Sequence, residues 1–130
     1  MPGSENSLTG ARILVVEDDY LWADMLCDFL RGEGCLIVGP SPRLTPGLAL
    51  AQEEGLDAAV LDINLDGEHS FPIAEALRQR GVPFVFVTGY SRTIIPLPLR
   101  QAPVLTKPIL DPDLGRTLRA LLQRAESRIG

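Results

Sequence analysis

Residues that bind soft metals or form disulfide bonds are scarce in this sequence. Only two cysteines, Cys27 and Cys35, and one histidine, His69, occur among 130 residues. The absence of a CxxC pair and of a histidine cluster argues against a zinc site or a redox pair. We therefore expect both cysteines to be small buried hydrophobic residues in a reducing cytosol, and His69 to be solvated in a polar loop.

Long apolar runs and excess positive charge are absent as well. No apolar run approaches the about 18 residues that a membrane-spanning helix requires. Residues 1–10, MPGSENSLTG, contain no apolar core of a signal peptide, and we expect them to form a disordered tail. The net charge of −5 disfavours binding to nucleic acid or to acidic membranes. The expected location is the cytoplasm.

What the sequence does contain is the composition of an ordinary globular domain. It is 45% hydrophobic and 22% charged, and its length suits one domain whose core needs no disulfide bonds. We predict that residues 11–130 form this single domain, and we expect no output domain after it.

Short apolar runs alternate with segments of helical period, which predicts a parallel α/β sheet. The predicted strands are 12–17, 35–39, 58–62, 83–87 and 103–106. The predicted helices are 20–31, 45–54, 71–80 and 112 to near the end. Thr45-Pro46 and Asp111-Pro112 each read as a capping residue followed by proline at the first helical position. The inward-facing residues predicted for the first and last helices are Leu21, Met25, Leu26, Phe29 and Leu30, and Leu114, Leu118, Leu121 and Leu122.

One stretch, residues 89–103, breaks this alternation where a fourth helix is expected. Pro96 and Pro98 fall inside it, and each interior proline costs a helix about 3 kcal/mol. We predict a short distorted turn or loop, with residues 91–102 the least ordered part of the folded domain. Its four large aliphatic residues either cover the fifth strand or form an interaction surface; they are Ile94, Ile95, Leu97 and Leu99.

Four apolar runs end in polar residues suited to one site. These runs are RILVVEDD (12–19), AAVLDINLDGE (58–68), FVFVTGY (84–90) and PVLTKP (103–108). In open parallel sheets ligands bind at the carboxyl ends of strands, so these ends are expected to meet.

The acids at these ends require a counter-charge. Two carboxylates about 5 Å apart repel by roughly 3 kcal/mol at an effective dielectric near 20. A hard cation such as Mg²⁺ suits Glu17, Asp18 and Asp62, and Lys107 adds a second positive charge. With this support Asp62 can attack phosphorus as a nucleophile, and Thr88 can bind the transferred group.

This ordered set resembles the receiver domain of two-component response regulators over roughly residues 11–125. The resemblance implies a CheY-like, flavodoxin-like fold: a five-stranded parallel doubly wound sheet whose fourth helix is short or irregular here. It also implies a cis Lys107-Pro108 bond. The implied roles are phosphoacceptor for Asp62, metal ligands for Asp18 and Glu17, a metal-binding backbone carbonyl for Asn64, a switch hydroxyl for Thr88 and the site lysine for Lys107.

Residues 62–90, with TGY after the fourth strand, further resemble the FAT GUY subgroup. Those are mostly small stand-alone bacterial receivers, often associated with HWE or related histidine kinases. Val87 departs from the small alanine expected before Thr88, and Val104 stands where receivers carry a switch aromatic. Tyr90 either takes over part of that switch role or is a half-buried loop aromatic.

The resulting prediction is a single-domain response regulator rather than an enzyme, since it would catalyse only its own phosphotransfer and dephosphorylation. It would accept a phosphoryl group on Asp62 from a histidine kinase with Mg²⁺. It would then signal by protein contacts or act as a phosphate sink, as a monomer or weak homodimer.

Two alternative functions fit the sequence less well. An aspartate-nucleophile phosphatase needs a second aspartate two residues on, where this chain has Asn64. A non-phosphorylated receiver-like binding module would not be expected to retain the complete set of polar residues.

Overall fold

Five parallel strands form the central sheet in a computed structural model that describes residues 7–89 and 94–129, with side chains described to residue 125. Their spatial order is β2-β1-β3-β6-β7. The strands are β1 Arg12–Val16, β2 Leu36–Ser41, β3 Ala58–Asp62, β6 Phe84–Thr88 and β7 Val104–Thr106, and a small antiparallel hairpin pairs β4 Asn64–Leu65 with β5 Glu68–His69. The helices are α1 Tyr20–Gly32, α2 Leu44–Leu50, α3 Phe71–Gln79 and α4 Asp111–Ile129.

Hydrophobic layers cover both faces of this sheet. Leu61 of β3 belongs to a cluster with Leu77 of α3, whereas its neighbour Val60 belongs to a second cluster with Leu30 of α1 and Leu118 of α4. Alternate residues of a strand point to opposite faces, so a strand between two layers must be apolar throughout. The predicted doubly wound sheet is confirmed, and its five strands differ from the predicted bounds by no more than two residues.

The buried face of α1 is only partly the predicted one. Leu26 and Leu30 are buried as predicted, but Leu21 is 72% exposed and Met25 is 57% exposed. The residues buried are Ala23, Leu26, Cys27 and Leu30, which repeat at helical spacing. This stripe faces the sheet, and a helix of 3.6 residues per turn then leaves Leu21 and Met25 on the opposite side.

The predicted cap-then-proline starts were misplaced. Helix α2 begins at Leu44, after Arg43, and Thr45 and Pro46 therefore lie inside its first turn. Helix α4 likewise begins at Asp111 instead of after it. The amides of the first helical turn have no partner within the helix, so proline fits anywhere in that turn and does not define the first residue. The predicted inward face of α4 is confirmed, with Leu114, Leu118 and Leu121 buried and Leu122 packed partly against them.

The segment between β6 and β7 contains, in its described part, a 3-10 helix at Leu97–Leu99 in place of a regular fourth helix. Ile95 and Leu99 are buried in the core, at 1% and 4% exposure. Ile94 and Leu97 are 41% and 74% exposed. Ile95 and Leu99 therefore belong to the core, and an interaction surface at Ile94 and Leu97 stays a prediction. The expected mobility of this segment stays a prediction, and residues 91–93 lie outside the described part.

Leu8 is a core residue that the sequence did not reveal. It is 1% exposed, and its carbonyl accepts hydrogen bonds from the Ala11 amide at 3.0 Å and the Cys35 thiol at 3.5 Å. Of the predicted tail, residues 1–6 lie outside the described part. Both cysteines are free and buried, as predicted.

The Lys107-Pro108 bond is cis, as the resemblance implied, and Gly39-Pro40 is a second cis bond. None of the helices in the described part combines the length and apolar character needed to cross a bilayer.

Because Ile95 is buried and Leu97 is exposed, shortening these two side chains should lower the stability of the fold by different amounts. Ile95→Ala should lower the free energy of unfolding by about 2–5 kcal/mol, because it leaves a cavity in the core. Leu97→Ala is the matched control and should change it by no more than about 0.5 kcal/mol, because its side chain is already in water. Urea unfolding of both variants measures the difference. Equal losses would contradict the described packing.

Candidate functional site

Four parallel strands deliver their carboxyl ends to one edge of the sheet. Glu17 and Asp18 follow β1, Asp62 ends β3, Thr88 ends β6 and Lys107 follows β7. The strand register is tight here, since the Lys107 amide donates to the Thr88 carbonyl at 2.9 Å and the Ile63 amide donates to the Val87 carbonyl at 3.2 Å. The parallel fold therefore assembles the predicted residues from distant parts of the chain.

Three carboxylates meet at this edge. One oxygen from each of Glu17, Asp18 and Asp62 lies within 4.8 Å of the others. Glu17 and Asp62 are almost fully buried, at 1% and 5% exposure, whereas Asp18 is more exposed. Charges held this close in a partly dry environment repel strongly, so the site requires positive charge.

Lys107 supplies part of that charge. Its Nζ lies 2.9 Å from Glu17 Oε1 and 3.4 Å from Asp62 Oδ2, and 5.4 Å from the centre of the Trp22 ring. The geometry at Glu17 gives proximity without an aligned hydrogen bond, and Oε1 remains a buried acceptor with no hydrogen-bond partner. One ammonium therefore leaves the buried acids incompletely satisfied.

Burial raises the pKa values of both buried acids. Burial, followed by the neighbouring Asp62 side chain, raises the pKa of Glu17 from 4.5 to about 8, although the Asp19 amide and Lys107 oppose the rise. Burial also raises the pKa of Asp62, against the lowering effects of Glu17 and of the Lys107 charge. Without a bound cation, burial therefore favours the protonated form of Glu17 over an unusually wide range of pH.

Lys107 stays charged within this set. Burial disfavours its ammonium form, but the contact with the Glu17 carboxyl group and the charge of Asp62 outweigh burial and raise the pKa of Lys107. The site therefore holds a permanent cation beside Asp62.

Local backbone amides orient the acidic side chains. Asp19 Oδ1 accepts from the amides of Leu21 and Trp22 at 3.0 and 3.2 Å, which caps α1 as predicted. The Asp19 amide in turn donates to Glu17 Oε2 at 3.0 Å, and the Asn64 amide donates to Asp62 Oδ1 at 3.3 Å. Capping keeps Asp19 out of the acidic cluster.

The β4-β5 turn is a part of the site that the sequence analysis missed. The Asp66 amide donates to Asp18 Oδ2 at 2.9 Å, and the Asp66 carboxylate pairs with Arg43 at 2.9 Å. Asp66 adopts a positive φ of 53° before Gly67. The Asp-Gly pair is a strong hairpin-turn signal and could have revealed this contact.

The residues predicted to switch are only partly described. Thr88 is fully buried at the end of β6, and Val104 packs partly buried against the first hydrophobic cluster. Tyr90 lies outside the described residues, so its predicted role is untested. No aromatic side chain occupies position 104 to take part in a switch.

The donor set fits a hard divalent cation. Three carboxylates converge, all ligands are oxygens, and Glu17 Oε1 is a buried acceptor that lacks a hydrogen bond. Oxygen-only sets with several negative charges suit Mg²⁺ and disfavour zinc or copper.

Comparison with known families agrees with this geometry. The response regulator receiver domain family matches residues 13–119, which is most of the chain. This chain belongs to the response regulator receiver family. The curated relatives of the receiver include the DNA-binding response regulator MtrA of Mycolicibacterium paratuberculosis, 34% identical over 119 residues. The sensory transduction protein RegX3 of Mycolicibacterium smegmatis is 34% identical over 118 residues.

This receiver spans about half the length of those curated relatives. The matches cover 87% of this chain and 52% of MtrA, and 86% of this chain and 50% of RegX3. The similarity is therefore to one part of each relative, and the DNA binding named for MtrA is a statement about that longer protein.

Solved receiver structures match over nearly their whole length. SdrG from Sphingomonas melonis Fr1 is 44% identical with a TM-score of 0.77, and the match covers 87% of this chain and 97% of SdrG. The BeF3-activated conformation of SdrG is 43% identical with a TM-score of 0.71, and the match covers 89% of this chain and 98% of SdrG. A CheY-like receiver domain protein from Methanospirillum hungatei JF-1 is 26% identical with a TM-score of 0.82. That match covers 92% of this chain and 99% of the other.

The raised pKa of Glu17 predicts how stability depends on pH without metal. Between its ordinary value of 4.5 and about 8, the folded state holds a proton that the unfolded state releases. The free energy of unfolding contributed by this group is therefore full at low pH and is lost as pH rises towards 8. Glu17→Gln, which stays neutral, should gain stability relative to the parent as pH rises. Urea unfolding in EDTA between about pH 5 and pH 8 measures this, and a constant difference would contradict the prediction.

Proposed function

We propose that this receiver accepts a phosphoryl group on Asp62 from a histidine kinase in a Mg²⁺-dependent reaction in the cytoplasm. The observation that carries the proposal is the placement of Asp62. It lies 3.4 Å from the Lys107 ammonium and shares a carboxylate cluster with Glu17 and Asp18. A nucleophile beside fixed positive charge and a cation-binding set suits phosphoryl transfer.

The transfer follows from the chemistry of these residues. A carboxylate oxygen of Asp62 forms a bond to phosphorus while the P–N bond of the phosphohistidine breaks, and the bonding pair leaves with the imidazole nitrogen, which takes up a proton. Glu17, Asp18 and Asp62 would hold Mg²⁺, which would supply positive charge to the transferring phosphoryl oxygens. Lys107 neutralises the same oxygens from its position between Glu17 and Asp62.

The remaining assignments follow the family pattern. The Asn64 carbonyl would contribute a further oxygen ligand to the cation, and the Thr88 hydroxyl would bind the phosphoryl group on Asp62. Tyr90, two residues beyond Thr88, takes over part of the switch, because Val104 cannot act as the aromatic. The BeF3-activated structure of SdrG supports activation by a phosphoryl-like group, since BeF3 presents a compact, negatively charged, tetrahedral centre.

The kinase is expected to approach over α1. Leu21 and Met25 lie one helical turn apart, both are exposed, and both follow the acids in the chain. Exposed large aliphatic residues beside a reactive carboxylate suit docking by a helical partner. The subgroup resemblance favours an HWE-type kinase.

The output is expected to be a protein contact or consumption of phosphate as a sink. Leu97 and Ile94 offer exposed apolar surface in the segment that follows Thr88 and Tyr90. Loss of partner binding in the folded Leu97→Ala variant, with labelling of Asp62 unchanged, tests this surface.

Labelling tests the assignment of Asp62. Wild-type protein with Mg²⁺ and acetyl phosphate should gain one acid-labile phosphoryl group, as the P–O bond breaks and acetate leaves. Asp62→Asn removes the nucleophile and should gain none. Intact-mass spectrometry measures the added phosphoryl group. Equal labelling of both proteins would refute the assignment.

The affinity for Mg²⁺ should depend on Asp18, which lies in the acidic cluster, and much less on Asp19, which caps α1. Asp18→Ala removes one of the clustered carboxylates and should weaken Mg²⁺ binding by at least about tenfold. Asp19→Ala is the matched control, since it removes the α1 cap at a cost of about 1 kcal/mol and should leave affinity within about threefold. Titration of Trp22 fluorescence measures both. Equal losses of affinity would contradict the described orientation of the two side chains.

A further inference from the structure

Trp22 is the aromatic side chain in contact with the site lysine. Its ring centre lies 5.4 Å from Lys107 Nζ, within the range of a cation–π interaction. The same Nζ contacts Glu17 Oε1 at 2.9 Å and Asp62 Oδ2 at 3.4 Å. The ammonium is therefore held by two carboxylates and one aromatic ring.

The start of α1 fixes the backbone position from which this ring projects. Asp19 Oδ1 accepts from the Trp22 amide at 3.2 Å, which ties Trp22 to the residue that follows the acids. Its neighbours Tyr20 and Leu21 are 79% and 72% exposed, whereas Trp22 is half-buried. Of these three consecutive large residues, Trp22 is the one that turns towards Lys107.

The contact restricts a flexible side chain. A lysine stem has several rotatable bonds, and a compact ammonium is strongly hydrated, so two carboxylates alone leave Lys107 other partners in water. The Lys107 side chain is only 17% exposed. The indole ring replaces water over the ammonium without offering a competing negative charge. Lys107 can then exchange Glu17 for phosphoryl oxygens while the ring still holds it.

We propose that Trp22 is a positioning residue that keeps the Lys107 ammonium directed at Asp62 and at the phosphoryl group transferred to it. This inference rests on the proposed function of Asp62 as phosphoacceptor. Loss of the aromatic ring should slow phosphorylation by about three- to tenfold, the size of a partly exposed cation–π contact.

Two substitutions of similar apolar size separate the aromatic contribution from simple packing. Trp22→Phe retains a ring and Trp22→Leu does not. With Mg²⁺ and acetyl phosphate, initial rates by intact mass should fall in the order wild type, Trp22→Phe, Trp22→Leu. Tyr20→Leu is the control, since it removes an exposed neighbouring aromatic and should keep the wild-type rate. Equal rates in Trp22→Phe and Trp22→Leu, or a wild-type rate in Trp22→Leu, would overturn the proposal.

A second readout does not require phosphorylation. The Lys107 Hε protons should be shifted upfield by the indole ring in wild type and should return to ordinary values in Trp22→Leu. Unchanged shifts in Trp22→Leu would reject the contact. If wild type gains no phosphoryl group, the proposed function fails, and the NMR comparison still decides whether the ring holds Lys107.

Trp22 fluorescence tests the contact in proteins that keep Trp22, so this test does not require Trp22→Leu to fold. Trp22 is the sole tryptophan, so its emission reports this contact directly. Lys107→Met should alter the emission by removing the cation. Arg116→Met, which removes a cation that is 73% exposed on α4, should not. Identical spectra for wild type and Lys107→Met would overturn the proposal.

Discussion

Repulsion among buried carboxylates is the constraint on which this site depends. Glu17 and Asp62 are almost fully buried, and the Lys107 ammonium contacts both. One ammonium group cannot neutralise the negative charge of Glu17, Asp62 and Asp18 together. Burial and the neighbouring Asp62 therefore raise the pKa of Glu17. Either a proton or a hard cation can balance the set. The surrounding structure holds the acids together against this repulsion, which leaves an acidic site suited to a hard cation.

The elements around the site serve this arrangement. Hydrophobic layers on both faces of the sheet make β1 and β3 rigid supports for the acids. The α1 cap occupies Asp19, while the β4-β5 turn supplies an amide to Asp18 and is braced by Arg43. Each polar contact fixes one carboxylate direction. A preorganised site of this kind spends little energy on rearrangement when phosphoryl transfer begins.

The segment after β6 joins core packing to surface exposure. Ile95 and Leu99 fill the space that a regular fourth helix would cover, while Ile94 and Leu97 remain in contact with water. Prolines prevent a regular helix, and the 3-10 helix that forms instead leaves Leu97 in water and buries Leu99. With a valine at position 104, the structural response to phosphorylation must use side chains other than the family's usual aromatic.

The sequence by itself determined the strands, the doubly wound sheet and which polar residues stand at the strand ends, because the period of apolar residues and the residue types that end each run are local signals. The tertiary structure decided which side of α1 faces the core, where the prolines lie within helices and that Leu8 is buried. It also decided that Asp66 and Trp22 contact the site. These depend on how elements pack, and a helix with apolar residues on two sides does not encode which side will face the sheet.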